Sequence, residues 1–228
     1  MDWQALALTL RLATATTVLL LLIAIPLAWW IVVTRSRLRV LIEAVTTLPL
    51  LLPPTVLGFY LLVLLGPHTA IGRAWIHFAG HPLAFSFAGL VAGSVIYSLP
   101  FAVQPIVAGF SSVDQALIEQ ASLLGAGPWR TLRELLLPLS MRSVITAAVL
   151  CFTHTIGEFG VVLMIGGDIP GSTRTLSISI FDQVQDFHYG IANQTALVLI
   201  IISVAALVAL YLMRGRGTFS AKGDASRG

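Results

Sequence analysis

Lysine is almost missing from this chain of 228 residues, with Lys222 the single one, and charged residues of every kind make up only 10% against 57% apolar. A water-soluble domain of this size needs far more polar surface, so a soluble fold is excluded and a polytopic membrane protein remains. The scarcity of lysine also excludes a phosphate-binding loop, which needs Gly-rich backbone leading into Gly-Lys and Ser or Thr. Lys222 follows Ser220-Ala221 and precedes Gly223, so the chain has no such route to ATP, and any uphill pumping needs a separate ATPase. A single cysteine, Cys151, rules out an intramolecular disulfide and reads as packing. Met1-Asp2-Trp3 lacks the basic start of a signal peptide, so the first apolar segment is expected to stay uncleaved. No repeat and no second domain is visible.

What is present is hydrophobic length. Charge-free windows run over 12–34, 74–113 (interrupted by Gly80-His81-Pro82) and 189–213, each longer than the roughly 18–20 residues that cross a hydrocarbon core. Two less uniform windows are 44–65, with three prolines, and 143–165, with Glu158. The expected fold is all-α with about five transmembrane helices, near 12–34, 44–65, 84–110, 143–165 and 190–213, in one domain over 1–213 with a short, disordered cytoplasmic tail at 214–228. Basic residues are retained in the cytoplasm. Placing the amino terminus outside puts ten of the thirteen there (Arg35, Arg37, Arg39, Arg130, Arg133, Arg142, Arg214, Arg216, Lys222 and Arg227), leaving Arg11, Arg73 and Arg174 outside.

The loop at 111–138 then lies in the cytoplasm. Ser111 followed by Asp114 reads as a capping box. Leu117, Ile118, Ala121 and Leu124 recur at helical spacing, Gly125 and Gly127 stop that helix, and Pro128 opens another carrying Trp129, Leu132 and Leu135. An amphipathic hairpin on the membrane surface would share this periodicity. It would not need Glu119-Gln120-Ala121, three residues, Gly125, nine residues, Leu135, one residue, and Leu137-Pro138. That spacing resembles the coupling loop of ABC-importer permeases, with Gln120 in place of the family's first Ala; the resemblance implies a type I permease fold and a loop seated on a cytoplasmic ABC ATPase.

Two intramembrane features stand out. Pro49, Pro53 and Pro54 interrupt a span just before Thr55; proline removes a donor and clashes with the preceding turn. A half-helix starting near Pro54 would offer free amides to a passing anion, and a plain kink is the alternative. Glu158, about 24 Å along its span from Arg142 and nearer the outer face, is costly at depth unless paired or hydrated. Capping, pairing or an outer gate fits it better than ligand contact. His154 and Cys151 share its helix face, but no second cluster completes a metal site. His68, His77, His81 and His188 fall at outer loops.

Leu48-Pro49 with Leu52-Pro53-Pro54-Thr55-Val56, Ser112-Val113-Asp114, Leu124-Gly125-Ala126-Gly127 with Trp129-Arg130, Gly157-Glu158-Phe159-Gly160, Ile169-Pro170-Gly171 and Thr173-Arg174-Thr175 closely resemble molybdate permeases, the ModB group of the molybdate, tungstate and sulfate branch. The match is weaker over 177–189. The resemblance implies an inner-membrane homodimer moving a tetrahedral oxyanion by alternating access, with a cytoplasmic ATPase dimer carrying ATP and Mg, an extracytoplasmic oxyanion-binding protein, lipid around it, and no cofactor, nucleic acid or enzymatic activity of its own. Two other classes stay open: a passive anion channel, which leaves the loop unexplained, and an intramembrane hydrolase, whose best pair would be Ser94 with His154 but which lacks a Gly-rich oxyanion segment.

Overall fold

A computed structural model describes residues 2–34 and 36–215, and these residues are helical with short connections. The expected tail lies, from residue 216 onward, outside the described residues.

Helix α1 (Trp3–Val33) starts nine residues before the charge-free window, because Asp2 caps it by accepting from the Ala5 amide at 2.9 Å. It therefore carries Arg11, whose side chain is exposed. Leu12, Ala13, Thr16, Leu20, Ala24, Ala28 and Ile31 line its buried stripe, and the alanines let neighbouring backbones approach closely. α1 packs on α5 (Phe87–Ser111) and α9 (Met141–Gly157). Together they enclose a core that includes Leu20, Ala28, Ile106, Phe110, Ala147 and Cys151.

α5 and α9 run antiparallel at close range. A Cβ at Gly109 would lie 2.5 Å from Ser143 Cβ, and Ser140 Oγ donates to Gly109 O at 3.0 Å. Cys151 is buried here, its thiol 3.9 Å from the Ser98 carbonyl, in keeping with a packing role.

The three continuous membrane-length helices are α1, α5 and α12 (Tyr189–Gly215). The other two expected spans are broken. α2 (Leu38–Leu51) and α3 (Pro54–Leu64) meet at an angle of 114°, so 44–65 is two helices rather than one kinked span. The pair still traverses the bundle: α2 reaches α5 where Gln104 Nε2 donates to Thr47 Oγ1 at 3.4 Å, whereas α3 packs on α10 (Gly160–Gly166). The expected 143–165 span is likewise α9 and α10, separated at Glu158 and Phe159.

At the α3 end, α4 (Ala70–Ala79) is capped by Thr69 and terminated by left-handed Gly80, and α11 (Leu176–Gln185) leads into α12. At the opposite end lie α6 (Gln115–Leu123), α7 (Pro128–Thr131), a π turn at Leu132–Leu136 and α8 (Leu137–Leu139).

Candidate functional site

The loop between α5 and α9 forms a knob. Asp114 itself caps α6, accepting from the Ala116 amide at 2.9 Å, whereas Ser111 is the last residue of α5. The expected Ser111–Asp114 capping box is therefore replaced by a single aspartate cap, since Ser111 still belongs to the last turn of α5. Gly125 has φ +80°, and its amide donates to Ser122 O at 3.0 Å while the Ala126 amide donates to Ala121 O at 2.9 Å. This closure needs a residue at ease in the left-handed region. Gly127, with φ −68°, does not stop the helix; it stands ahead of Pro128, the first residue of α7.

The knob is held from behind and open in front. Leu132 and Leu136 insert into the main core, Leu135 and Leu137 are half-buried, and Pro138 is exposed. Pro138 has no amide to offer the turn before it, which accounts for the widened π geometry there. Leu123 and Leu124 at the tip are 87% and 86% exposed, Trp129 is 65% exposed, and Glu119, Gln120 and Ala121 stand on the adjoining α6, Ala121 half-buried. Arg130 and Glu134 pair at 2.8 Å across one exposed helical turn, a contact that water and salt screen and that adds little to stability. The knob thus presents an exposed apolar tip on an anchored base.

On one flank of the bundle, the two helix breaks meet. Pro54, Thr55, Tyr97, Thr153, His154, Gly157, Glu158, Phe159 and Gly160 line one cleft of about 540 Å³. Sequence reasoning singled out Pro53, Pro54, Thr55 and Glu158 separately; the fold joins Pro54, Thr55 and Glu158 here, leaving Pro53 exposed next to it and Pro49 buried one α2 turn away. The contact is tight, since a Cβ at Gly160 would stand 2.7 Å from Pro54 Cβ and one at Gly58 2.8 Å from Met164 Cβ. Behind them, Leu57, Leu61, Val161 and Ile165 form a second core. At the α3 start the Val56 and Leu57 amides turn back to Pro53 O at 3.0 and 3.1 Å, while the Thr55 amide, beside the cleft, has no hydrogen-bond partner among the described residues.

Glu158 is 4% exposed. Ser94 lies beside it, yet both carboxylate oxygens and Ser94 Oγ are buried with no hydrogen-bond partner among the described residues. It therefore caps no amide and makes no ion pair in this conformation; its own carbonyl accepts from Ser177 Oγ at 2.5 Å. Its depth agrees with the count from Arg142. Ser143 lies against Gly109 and Glu158 beside Ser94, which puts the carboxyl about 22 Å along the α5–α9 contact and about 10 Å from the Phe87 end of α5.

His154 does not reach Ser94. Its Nδ1 lies 2.9 Å from Ser98 Oγ, and its ring stacks on Phe101 at 4.1 Å and tilts against Tyr97 at 4.8 Å. The constructed hydrolase pair thus fails on geometry, and Ser98 itself is fully buried, with no access for a substrate. No group of three His, Cys, Asp or Glu that could hold a metal occurs among the described residues. His154 and Tyr97 as cleft-lining groups were missed in the sequence; His154 stands on α9 and its neighbours Tyr97, Ser98 and Phe101 on α5, and no local pattern signals that meeting.

At the far end, Arg174 clasps Asp168 through two hydrogen bonds, 2.5 and 2.7 Å, and reaches Asp182 at 3.7 Å. The guanidinium holds the Asp168 carboxyl below its ordinary range, whereas partial burial and then Asp168 itself raise that of Asp182. Leu176 N donates to Thr9 Oγ1 at 2.9 Å and Thr173 Oγ1 to Gly166 O at 2.7 Å. The clasped loop thereby ties α1, α10 and α11 together above the breaks.

Residues 20–216 match the family described as the binding-protein-dependent transport system inner membrane component. The molybdenum transport system permease protein ModB of Azotobacter vinelandii is 52% identical over 213 residues, covering 93% of this chain and 94% of that one. The protein of the same name from Escherichia coli K12 is 34% identical over 184 residues, 81% of this chain and 80% of its own. A bacterial alginate ABC transporter, solved with a pentasaccharide-bound periplasmic protein, superposes with a TM-score of 0.75 at 18% identity, covering 94% of this chain and 78% of that one, which establishes a shared fold. A multi-pass bundle with an anchored apolar knob at one end and two broken helices meeting on its flank, matched over nearly its whole length, belongs to the family of inner membrane components of binding-protein-dependent transport systems.

Proposed function

We propose that this chain is the permease subunit of an ATP-driven importer for molybdate, working as a homodimer by alternating access. The observation that carries the substrate is the 52% identity, over 93% of the chain, to a molybdenum transport permease. The 30% identity over 193 residues to a probable sulfate transport permease of Zygnema circumcarinatum is weaker, so tungstate and sulfate are the competitors to test. Uptake of labelled molybdate by vesicles bearing the full importer, challenged with excess of each, checks this; displacement by sulfate at equal concentration would move the assignment to sulfate.

In this reading the knob carrying Glu119, Gln120, Ala121, Gly125, Leu135, Leu137 and Pro138 docks on an ATPase dimer, which alone holds ATP and Mg, and an extracytoplasmic protein delivers the oxyanion at the Arg174 end. A passive channel would have no use for so exposed an anchored knob. The amino terminus lies outside and the carboxyl terminus in the cytoplasm, supported by the ten-of-thirteen basic bias. A reporter active only outside the cytoplasm is expected to work when fused after Gly80 and to fail after Gly127; the reverse pattern overturns the orientation.

Pro49, Pro53, Pro54, Thr55 and Glu158 line or gate the path where the breaks meet. Single cysteines from Leu50 to Gly58, in a chain with Cys151→Ala, are expected to react with a small water-soluble thiol reagent at some positions only. Trapping the ATPases closed is expected to change which positions react. Silence at every position in both states would make the breaks plain kinks.

A further inference from the structure

Resting on the oxyanion-import reading, we infer that His154 is a substrate-contacting residue of the translocation path, its Nε2–H donating a hydrogen bond to the oxyanion in the cleft between the two breaks.

The tautomer follows from the hydrogen-bond chain behind the ring. Ser98 Oγ is 2.9 Å from His154 Nδ1 and 3.3 Å from Thr155 Oγ1. Thr155 is 2% exposed, and its hydroxyl has no other partner among the described residues. Each hydroxyl has one proton to give. If Nδ1 donated to Ser98, Ser98 would donate to Thr155, and the Thr155 proton would be buried without an acceptor, a costly arrangement. The order that satisfies every donor is Thr155 to Ser98 to Nδ1, which leaves the ring proton on Nε2.

Nε2 is the ring nitrogen left for the cleft: His154 is half-buried and lines it, Nδ1 is taken by Ser98, and Nε2 has no hydrogen-bond partner among the described residues. The Ser98 bond and the stack on Phe101 hold the ring in one orientation, so little is lost when it meets a ligand. Tyr97 and Thr55 line the same space and bring hydroxyls to it. Glu158 lines it as well, but both its carboxylate oxygens are buried. The wall therefore presents neutral donors, and a small oxyanion is the ligand that uses them; no group of three His, Cys, Asp or Glu that could hold a metal cation occurs among the described residues.

The test uses the full importer in vesicles with molybdate as probe. His154→Phe keeps a ring to stack on Phe101 but has no donor; its molybdate uptake is expected to fall about tenfold. His154→Gln restores an N–H and is expected to stay within about threefold of the unmodified protein. A histidine that only stacks on Phe101 would instead favour Phe over Gln, and one that only accepts from Ser98 would lower thermal stability and assembly in His154→Phe along with uptake. Uptake by His154→Phe at the unmodified rate, or an equal fall in both variants, overturns the inference. Should His154→Phe fail to assemble, His154→Cys in the Cys151→Ala chain decides: the thiol is expected to react with a small water-soluble reagent, more slowly with molybdate present, and silence in both nucleotide states overturns the proposal. Absence of molybdate uptake by the unmodified importer would sink the import reading instead.

Discussion

Replacing Gly125 with isoleucine is expected to release the ATPase from this permease while leaving the membrane bundle intact. Nothing stands within 4 Å of a Cβ at this position, so the added side chain meets no neighbour and the penalty is all backbone. Gly125 sits at φ +80°, where an L-residue loses about 1–2 kcal/mol and a β-branched one more. That strain is relieved by rebuilding the α6–α7 bend, which displaces Leu123 and Leu124 from the tip of the knob. Since about 1.4 kcal/mol is tenfold in affinity, copurification with the ATPase should drop by about that factor, and transport with it. Gly125→Asn, a residue that tolerates the left-handed region, should retain most of both. Unchanged copurification and transport in Gly125→Ile would remove the docking role from this knob.

Gly160→Val is expected to stop transport without releasing the ATPase. A Cβ here already lies 2.7 Å from Pro54 Cβ and 3.5 Å from the Thr55 amide, and valine adds two methyls to that clash. Overpacking of this kind costs about 1–3 kcal/mol, and it is localised where the two broken helices touch. α3 is then pushed off α10, so the conformation with the breaks in contact becomes the disfavoured one. Uptake should fall about tenfold or more, with assembly preserved because the knob lies at the other end of α5 and α9. Normal uptake by a properly assembled Gly160→Val protein would show that the breaks need not close on each other during transport.

The local signals legible in the chain were those that neighbouring residues enforce on their own. The Pro53-Pro54 pair had to end one helix and start another, Pro128 had to open one, and Gly125 was free to take the left-handed bend. Hydropathy likewise located α5 and α12 to within a few residues, since lipid tolerates little else over that length. Span ends failed where a polar residue decides them: Asp2 starts α1 well ahead of the apolar window and takes Arg11 into the helix, and Asp114, not Ser111, caps α6.

By itself, then, the sequence determined that this is a multi-pass membrane protein with a cytoplasm-type loop of defined spacing, because bilayer solvation and backbone sterics act over a few neighbouring residues. Only the tertiary structure decided that α2 and α3 meet at 114°, that a second break falls at Glu158, and that both open on one cleft. Only it turned His154 to Ser98 instead of Ser94 and left the Glu158 carboxylate buried beside Ser94, with no hydrogen-bond partner in bonding geometry among the described residues. These outcomes depend on the antiparallel register of α5 against α9, set where Gly109 admits Ser143, and a register between helices is a property of their packed surfaces that no single stretch of chain contains.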